Sequence, residues 1–208
     1  MTATTMTRPG LRPLIAALGL GLATACTPVP EDVLPQAMPA MGWDHRPEAS
    51  EWTESTLAAL LDEGAPLLDE VPADISTWCP GYLSGTETDR AAFWSGMFSA
   101  LARHESTWNP AAVGGGGRWF GLVQIAPATA RGYGCEADSG AELQDGAANL
   151  SCAVKIATST VLRDGVIAAG GGGLAADWGP FASSGKREQM ASWLREQSYC
   201  TAETGRRS

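Results

Sequence analysis

Histidine is nearly missing from this chain, with only His45 and His104 present. A zinc-protease helix needs two histidines four residues apart on one face, and the residue four after His104 is Trp108. Cys135 and Cys152 stand too far apart for a zinc knuckle, so no metal site is expected. No Gly-x-Ser-x-Gly segment occurs, which removes the serine-hydrolase elbow. The glycine run 170–173 leads into no Gly-Lys-Ser/Thr, so it is not a phosphate loop, and no cofactor is expected. Positive charge is also short: 14 Lys and Arg stand against 23 Asp and Glu, a formal net charge of -9. A nucleic-acid partner needs a basic footprint, so that class is excluded. The longest apolar run, residues 14–23, is too short to cross a bilayer as a mature helix. Internal repeats are lacking, and no stretch alternates well enough to predict a real sheet.

What is present is a globular composition, 44% hydrophobic and 18% charged, with eight tryptophans. The 25 glycines and 13 prolines predict many loops. Residues 1–25 read as an export signal: Arg8 and Arg12 make a basic start, the apolar run follows, and Ala23-Thr24-Ala25 is a small-residue cleavage site. Losing those two arginines takes the formal charge from -9 to -11. Cys26 follows at once, and residues 22–26 resemble a bacterial lipobox, with Ala23 standing where leucine is usual. Two outcomes are open: acylation of Cys26, or plain cleavage that leaves a spare cysteine. In an oxidising compartment an odd cysteine count leaves one thiol unpaired. If Cys26 of the five carries lipid, Cys79, Cys135, Cys152 and Cys200 remain for two bridges. Of the three connectivities, Cys135–Cys152 closing a local loop and Cys79–Cys200 tying the domain ends is the expected one.

Residues 26–50 hold five prolines without periodicity, which suggests an extended tether, a packed terminal arm being the other reading. Residues 51–80 are read as a helical extension, with Ser50 as N-cap and Leu57, Leu60 and Leu61 at helical spacing over 51–63. The segment 81–200 is read as the main domain and 201–208 as a disordered tail. Within it, Thr88 or Asp89 caps a helix over about 89–106, where Trp94, Met97, Phe98 and Leu101 form one stripe. Asn109-Pro110 ends that helix. A glycine-rich loop at 111–120, a short helix start at 127–131, a long helix over about 142–162 and a last helix over about 186–197 complete the reading. In the last helix Met190, Trp193 and Leu194 face inward.

Continuing the stripe from Leu101 by four reaches Glu105. A carboxyl group then lies on the inner face of its helix, near the C-terminal end. Desolvation and the negative end of the helix dipole both oppose ionisation. A carboxylic acid still protonated near neutrality is what glycoside cleavage needs in order to protonate a leaving oxygen. The ordinary fate of a helix-end glutamate is to turn outward. The neighbouring segments change that expectation. Glu105-Ser106, Asn109-Pro110-Ala111, Gly121-Leu122-Val123-Gln124-Ile125 and Pro127-Ala128-Thr129-Ala130 resemble, in order and spacing, the lytic transglycosylase domain related to goose-type lysozyme.

That resemblance implies a mainly α, lysozyme-like helical domain with long loops and at most a minor β element. It implies a peptidoglycan substrate and Glu105 as the sole acid and base. Glu105 would protonate the oxygen between N-acetylmuramic acid and N-acetylglucosamine. It would then take the proton of the muramic 6-hydroxyl, which attacks C1 and closes a 1,6-anhydro ring, with the acetamido group standing in for a second carboxylate. Ser106 would orient the site, and Gly121, Leu122 and Gln124 would line the cleft, the glycine letting the sugar approach the backbone. Turn and core are the plainer readings of Gly121 and Leu122. Trp108, Trp119 and Trp178 flank these segments and suit sugar stacking, whereas Trp94 and Trp193 suit core packing. The glycines 114–117 read as a mobile flap or a surface turn.

One departure stands out. The family's Ala-Tyr-Asn-x-Gly segment corresponds here to Ala175-Ala176-Asp177-Trp178-Gly179, and Tyr82, Tyr133 and Tyr199 all lie elsewhere. The indole of Trp178 is a candidate substitute for the tyrosine donor. Asp177 is a candidate second carboxylate, which would favour hydrolysis by water. Two other outcomes follow: a muramidase cutting the same bond, or a murein-binding lipoprotein without turnover. The expected setting is export to the periplasm, as a monomer held to the outer membrane through Cys26.

Overall fold

The computed structural model describes residues 1–2 and 38–201. The export signal, Cys26, the first part of the proposed tether and the tail from 202 onward lie outside the described residues. Those described carry seven α-helices: α1 Ala49–Leu61, α2 Ala65–Asp69, α3 Ile75–Trp78, α4 Glu87–Glu105, α5 Pro127–Gly132, α6 Gly146–Asp164 and α7 Ser184–Arg195. Two short strands, β1 Val113–Gly114 and β2 Trp119–Phe120, pair antiparallel as a hairpin between α4 and α5. The fold is mainly α with a minor β element, as the sequence predicts.

Helix boundaries follow cap chemistry. Thr86, not Thr88 or Asp89, caps α4: its hydroxyl accepts the Asp89 N–H while the Asp89 carboxylate accepts the Thr86 N–H, a reciprocal capping box. The helix therefore starts two residues earlier than the spacing predicts. Ser50 is no cap either, because α1 begins at Ala49 and Ser50 lies inside it. The helix predicted over 142–162 divides into a 3₁₀ turn at Glu142–Gln144 and α6, since Asp145 accepts the Ala148 N–H and starts a new helix. Gly165, at φ 66°, ends α6 in a left-handed cap.

The stripe read on α4 understates its burial. Every residue from Ala91 to Ala102 is buried. The large residues fill one side, and Ala92, Ser95, Gly96 and Ser99 let neighbours approach the rest. A Cβ on Gly96 would lie 2.3 Å from the Tyr199 hydroxyl. Helices α1 and α7 pack on α4, while α1 and α2 also pack on α6. Cys79 bonds to Cys200 and Cys135 to Cys152, the pairing expected above.

The tether reading fails for its described part. Trp43 is fully buried, its indole donating to Thr53 Oγ1 at 2.9 Å, and its backbone N–H donates to Ser99 Oγ at 3.2 Å. From Met41 onward the chain is an arm packed on α1 and α4, because Met41 and Trp43 are apolar anchors among the prolines.

Candidate active site

Glu105 is the last residue of α4. It is half-buried and opens into a cleft of about 440 Å³ shared with Trp119, Gln124, Asp177, Trp178 and Lys186. Burial pushes its carboxyl up from 4.5 to about 7, and the Lys186 ammonium pulls the other way. The helix C-terminus adds to the upward push. Among the described residues, Lys186 is the one charge that acts on it, and no protein hydrogen bond holds it. A carboxyl in this state is partly protonated at neutral pH and free to meet a ligand.

The loop that faces Glu105 is fixed from behind. Ser106 Oγ donates to the Leu122 carbonyl at 2.8 Å and accepts the Asn109 N–H at 3.1 Å, so Ser106 ties the helix end to the loop instead of lining the cleft. Leu122 is fully buried core. Gly121 sits at φ 83°, and a Cβ there would fall 2.0 Å from the Leu143 carbonyl oxygen and 2.3 Å from Asn149 Nδ2. Glycine is required at 121 by protein packing; the expected close approach of a sugar is corrected. Gln124 does line the cleft, from a left-handed backbone at φ 52°. Its amide donates to the carbonyls of Gly121 at 2.9 Å and Ala112 at 3.3 Å, which turns Oε1 toward Gly114.

Trp119 lines the cleft from β2 and is 42% exposed. Arg118 covers it at 4.7 Å from ring centroid to guanidinium carbon. The glycines at 115–117 form the hairpin turn, all at positive φ, and a Cβ on Gly115 would overlap the Trp119 ring. Asp177 is exposed and lines the same cleft, and the Tyr133 hydroxyl donates to it at 3.2 Å. Trp178 is buried, and its indole N–H donates to the Val123 carbonyl at 2.8 Å. That donor is spent on the loop, so Trp178 does not replace the family's tyrosine beside Glu105. Trp108 lies outside this cleft, half-buried with its indole on the Ser99 carbonyl at 2.9 Å. Trp94 is fully buried core and Trp193 half-buried.

Three contributors were not read from the sequence. Lys186 enters from the first turn of α7, about 80 residues from Glu105, and an exposed lysine carries no local signal. Tyr133 reaches Asp177 across 44 positions. Asn149 had a usable signal: it is a polar residue on the buried face of α6.

Residues 83–169 match the family described as "Transglycosylase SLT domain". No curated protein matches the chain significantly. Among solved structures, "Bd0314 DslA wild-type form 2" is 30% identical with a TM-score of 0.72, and the match covers 80% of this chain and 100% of the other. Two mutants of the same protein, each with a glutamate replaced by glutamine, match to the same extent. Seven helices, a small hairpin and a glutamate at a helix end facing a glutamine-bearing loop agree with that match, and the chain belongs to the lytic transglycosylase family, with a peptidoglycan transglycosylase-type function in general.

Proposed function

We propose that the protein cleaves the β-1,4 bond between N-acetylmuramic acid and N-acetylglucosamine with Glu105 as sole acid and base, leaving a 1,6-anhydro-muramic end. The observation that carries this reading is the Glu105 carboxyl, raised to about 7 inside an open cleft beside an exposed tryptophan. In its protonated form Glu105 gives the proton to the leaving oxygen. As carboxylate it then takes the proton from the muramic 6-hydroxyl as that oxygen bonds to C1. Trp119 offers a stacking face, and Gln124 Oε1 accepts a hydrogen bond from the sugar.

A second reading has one specific support. Asp177 lines the same cleft as Glu105, and a second carboxylate can activate water for hydrolysis. Mass spectrometry of digested sacculi separates the two. Anhydro ends support the transglycosylase, reducing ends the muramidase, and absence of released fragments a murein binder without turnover. Glu105→Gln should abolish release while the protein stays folded.

The reading includes export and anchoring through an acylated Cys26. Support comes from the sequence of residues 1–26 and from two disulfides, which suit an oxidising compartment. Metabolic labelling with a fatty acid, lost in Cys26→Ser, tests the anchor.

A further inference from the structure

Two of the three tyrosines serve the core. Tyr82 donates to the Leu67 carbonyl and accepts the Trp94 indole N–H, and Tyr199 donates to the Ala40 carbonyl. Tyr133 is the one whose hydroxyl reaches a residue of the cleft, donating to Asp177 Oδ2 at 3.2 Å. Asp177 borders the main cleft and also a side niche of about 40 Å³ lined by Thr129 and Ile156. Among the described residues no donor takes its second oxygen, Oδ1, and the carboxylate enters no ion pair.

Both ends of this hydrogen bond are supported. Tyr133 closes α5, its N–H on the Thr129 carbonyl at 3.1 Å, and its ring packs half-buried against the core. Directly after it, Lys155 of α6 donates to the Gly134 carbonyl at 3.0 Å, and Cys135 is bonded to Cys152 of the same helix. The segment that carries Asp177 is tied on either side of it. The Gly173 N–H donates to Asp164 Oδ2 at 2.7 Å, and the Trp178 indole to the Val123 carbonyl at 2.8 Å. Arg163 holds Asp164 in turn through two bonds of 2.8 and 2.7 Å. Asp177 lies outside the segment 83–169 that matches the family, and Tyr133 reaches it from inside that segment.

Burial, and after it the Asp177 carboxylate, push the Tyr133 phenol above its ordinary value, while Arg163 pulls the other way. The hydroxyl keeps its proton and stays a donor through the neutral range. A carboxylate only accepts, with room for further donors on each oxygen. Engaging Oδ2 settles the orientation of a short, exposed side chain, so less ordering is left for a ligand to impose. Oδ1 then offers the cleft a charge-assisted acceptor. The groups of a glycan that can donate to it are its hydroxyls and its acetamido N–H.

We propose that Tyr133 is a positioning residue of the cleft: by holding Asp177 Oδ2 it aims Oδ1 at a hydroxyl or acetamido N–H of the bound strand, and so sets how tightly the strand is held. The proposal rests on the cleft reading above for the identity of that strand. It gives Asp177 a gripping role, distinct from the activation of water. A base that takes a proton from water acts on kcat, whereas a grip shared by ground state and transition state acts on KM.

The test is a double-mutant cycle on the full chain. Affinity is read by calorimetric titration of Glu105→Gln protein with a peptide-free tetrasaccharide of alternating N-acetylglucosamine and N-acetylmuramic acid. Tyr133→Phe keeps the ring and removes only the hydroxyl, and it should weaken binding about fivefold, the size of one hydrogen bond. In an Asp177→Ala background the same change should cost nothing. In protein that retains Glu105, Tyr133→Phe should raise KM by a similar factor and leave kcat nearly unchanged. Unaltered affinity in Tyr133→Phe, an equal loss in the Asp177→Ala background, or a fall in kcat at constant KM overturns the proposal. A wild-type protein that cleaves no strand, with the coupling between Tyr133 and Asp177 intact in the titration, would sink the catalytic reading and leave the pair standing as a sugar grip.

Discussion

Asn149 Oδ1 accepts the backbone N–H of Val123 at 3.0 Å from a fully buried position on α6. Its Nδ2 donates to the carbonyls of Phe120 at 3.1 Å and Leu143 at 3.0 Å. One side chain thus satisfies two backbone groups of the loop that presents Gln124, at Phe120 and Val123, and ties that loop to Leu143 of the 3₁₀ turn before α6. Removing it leaves the Val123 N–H and the Leu143 carbonyl without that partner, while the Phe120 carbonyl keeps the Ile125 N–H, at about 1–3 kcal/mol for each lost partner that water does not replace. Asn149→Ala should lower Tm by several degrees, as read by calorimetry. Activity should fall further than stability explains, because Gln124 loses its support.

Gly121 and Gly117 share a positive φ and differ in surroundings. A Cβ at 121 collides with backbone at 2.0 Å, whereas at 117 it meets nothing within 4 Å. Gly117→Ala should therefore cost about 1 kcal/mol, the price of the left-handed backbone alone. Gly121→Ala should cost several-fold more or prevent folding. Denaturant titration of both variants checks the contrast, and equal losses would refute the packing account of Gly121.

Glu105 makes the fold pH-sensitive in a defined direction. Its carboxyl is raised from 4.5 to about 7, so the folded chain holds a proton that the unfolded chain releases. Below the unfolded value both states are protonated and nothing is lost. Stability falls as pH rises between those two values and then levels off. The group is only half-buried, so after discounting for cleft water the penalty is roughly 1–2 kcal/mol. Glu105→Gln should raise Tm above neutrality and lose that advantage in mild acid. Melting curves across pH read the difference.

The two disulfides should contribute unequally. Cys79–Cys200 closes a separation of 121 residues and Cys135–Cys152 one of 17. Loop entropy gives about 4–5 kcal/mol for the long closure and about 3 kcal/mol for the short one. Paired Cys→Ser variants, compared by Tm, should rank in that order.

How much of this was legible in the sequence depends on how local the cause is. Glu105 was readable because four-residue spacing from Leu101 places it on the inner face. With Cys26 set aside, counting leaves three pairings of four cysteines, and the structure holds the expected one, a local loop closure plus a tie between the domain ends. Helix starts at Thr86 and Asp145 were missed by a few residues, since competing Ser, Thr and Asp residues all qualify as caps and only geometry selects one. The five prolines of 26–50 suggest an extended tether and outweigh Trp43, whose partners Ser99 and Thr53 lie on two different helices. For Gly121 the resemblance implies sugar contact, while what crowds it lies 22 and 28 residues away, at Leu143 and Asn149, where local sequence gives no sign of it. The sequence offers Trp178 as a donor to Glu105, and in the structure its indole serves the Val123 carbonyl.

The account stands on a single proton held by Glu105 near neutrality. Carbon NMR of the labelled Glu105 carboxyl, followed from pH 4 to 9, measures it directly. A midpoint near the value of about 7 set by burial supports the proton-donor role. A midpoint at the ordinary glutamate value of about 4.3 would mean the group is ionised throughout the working range and would contradict it.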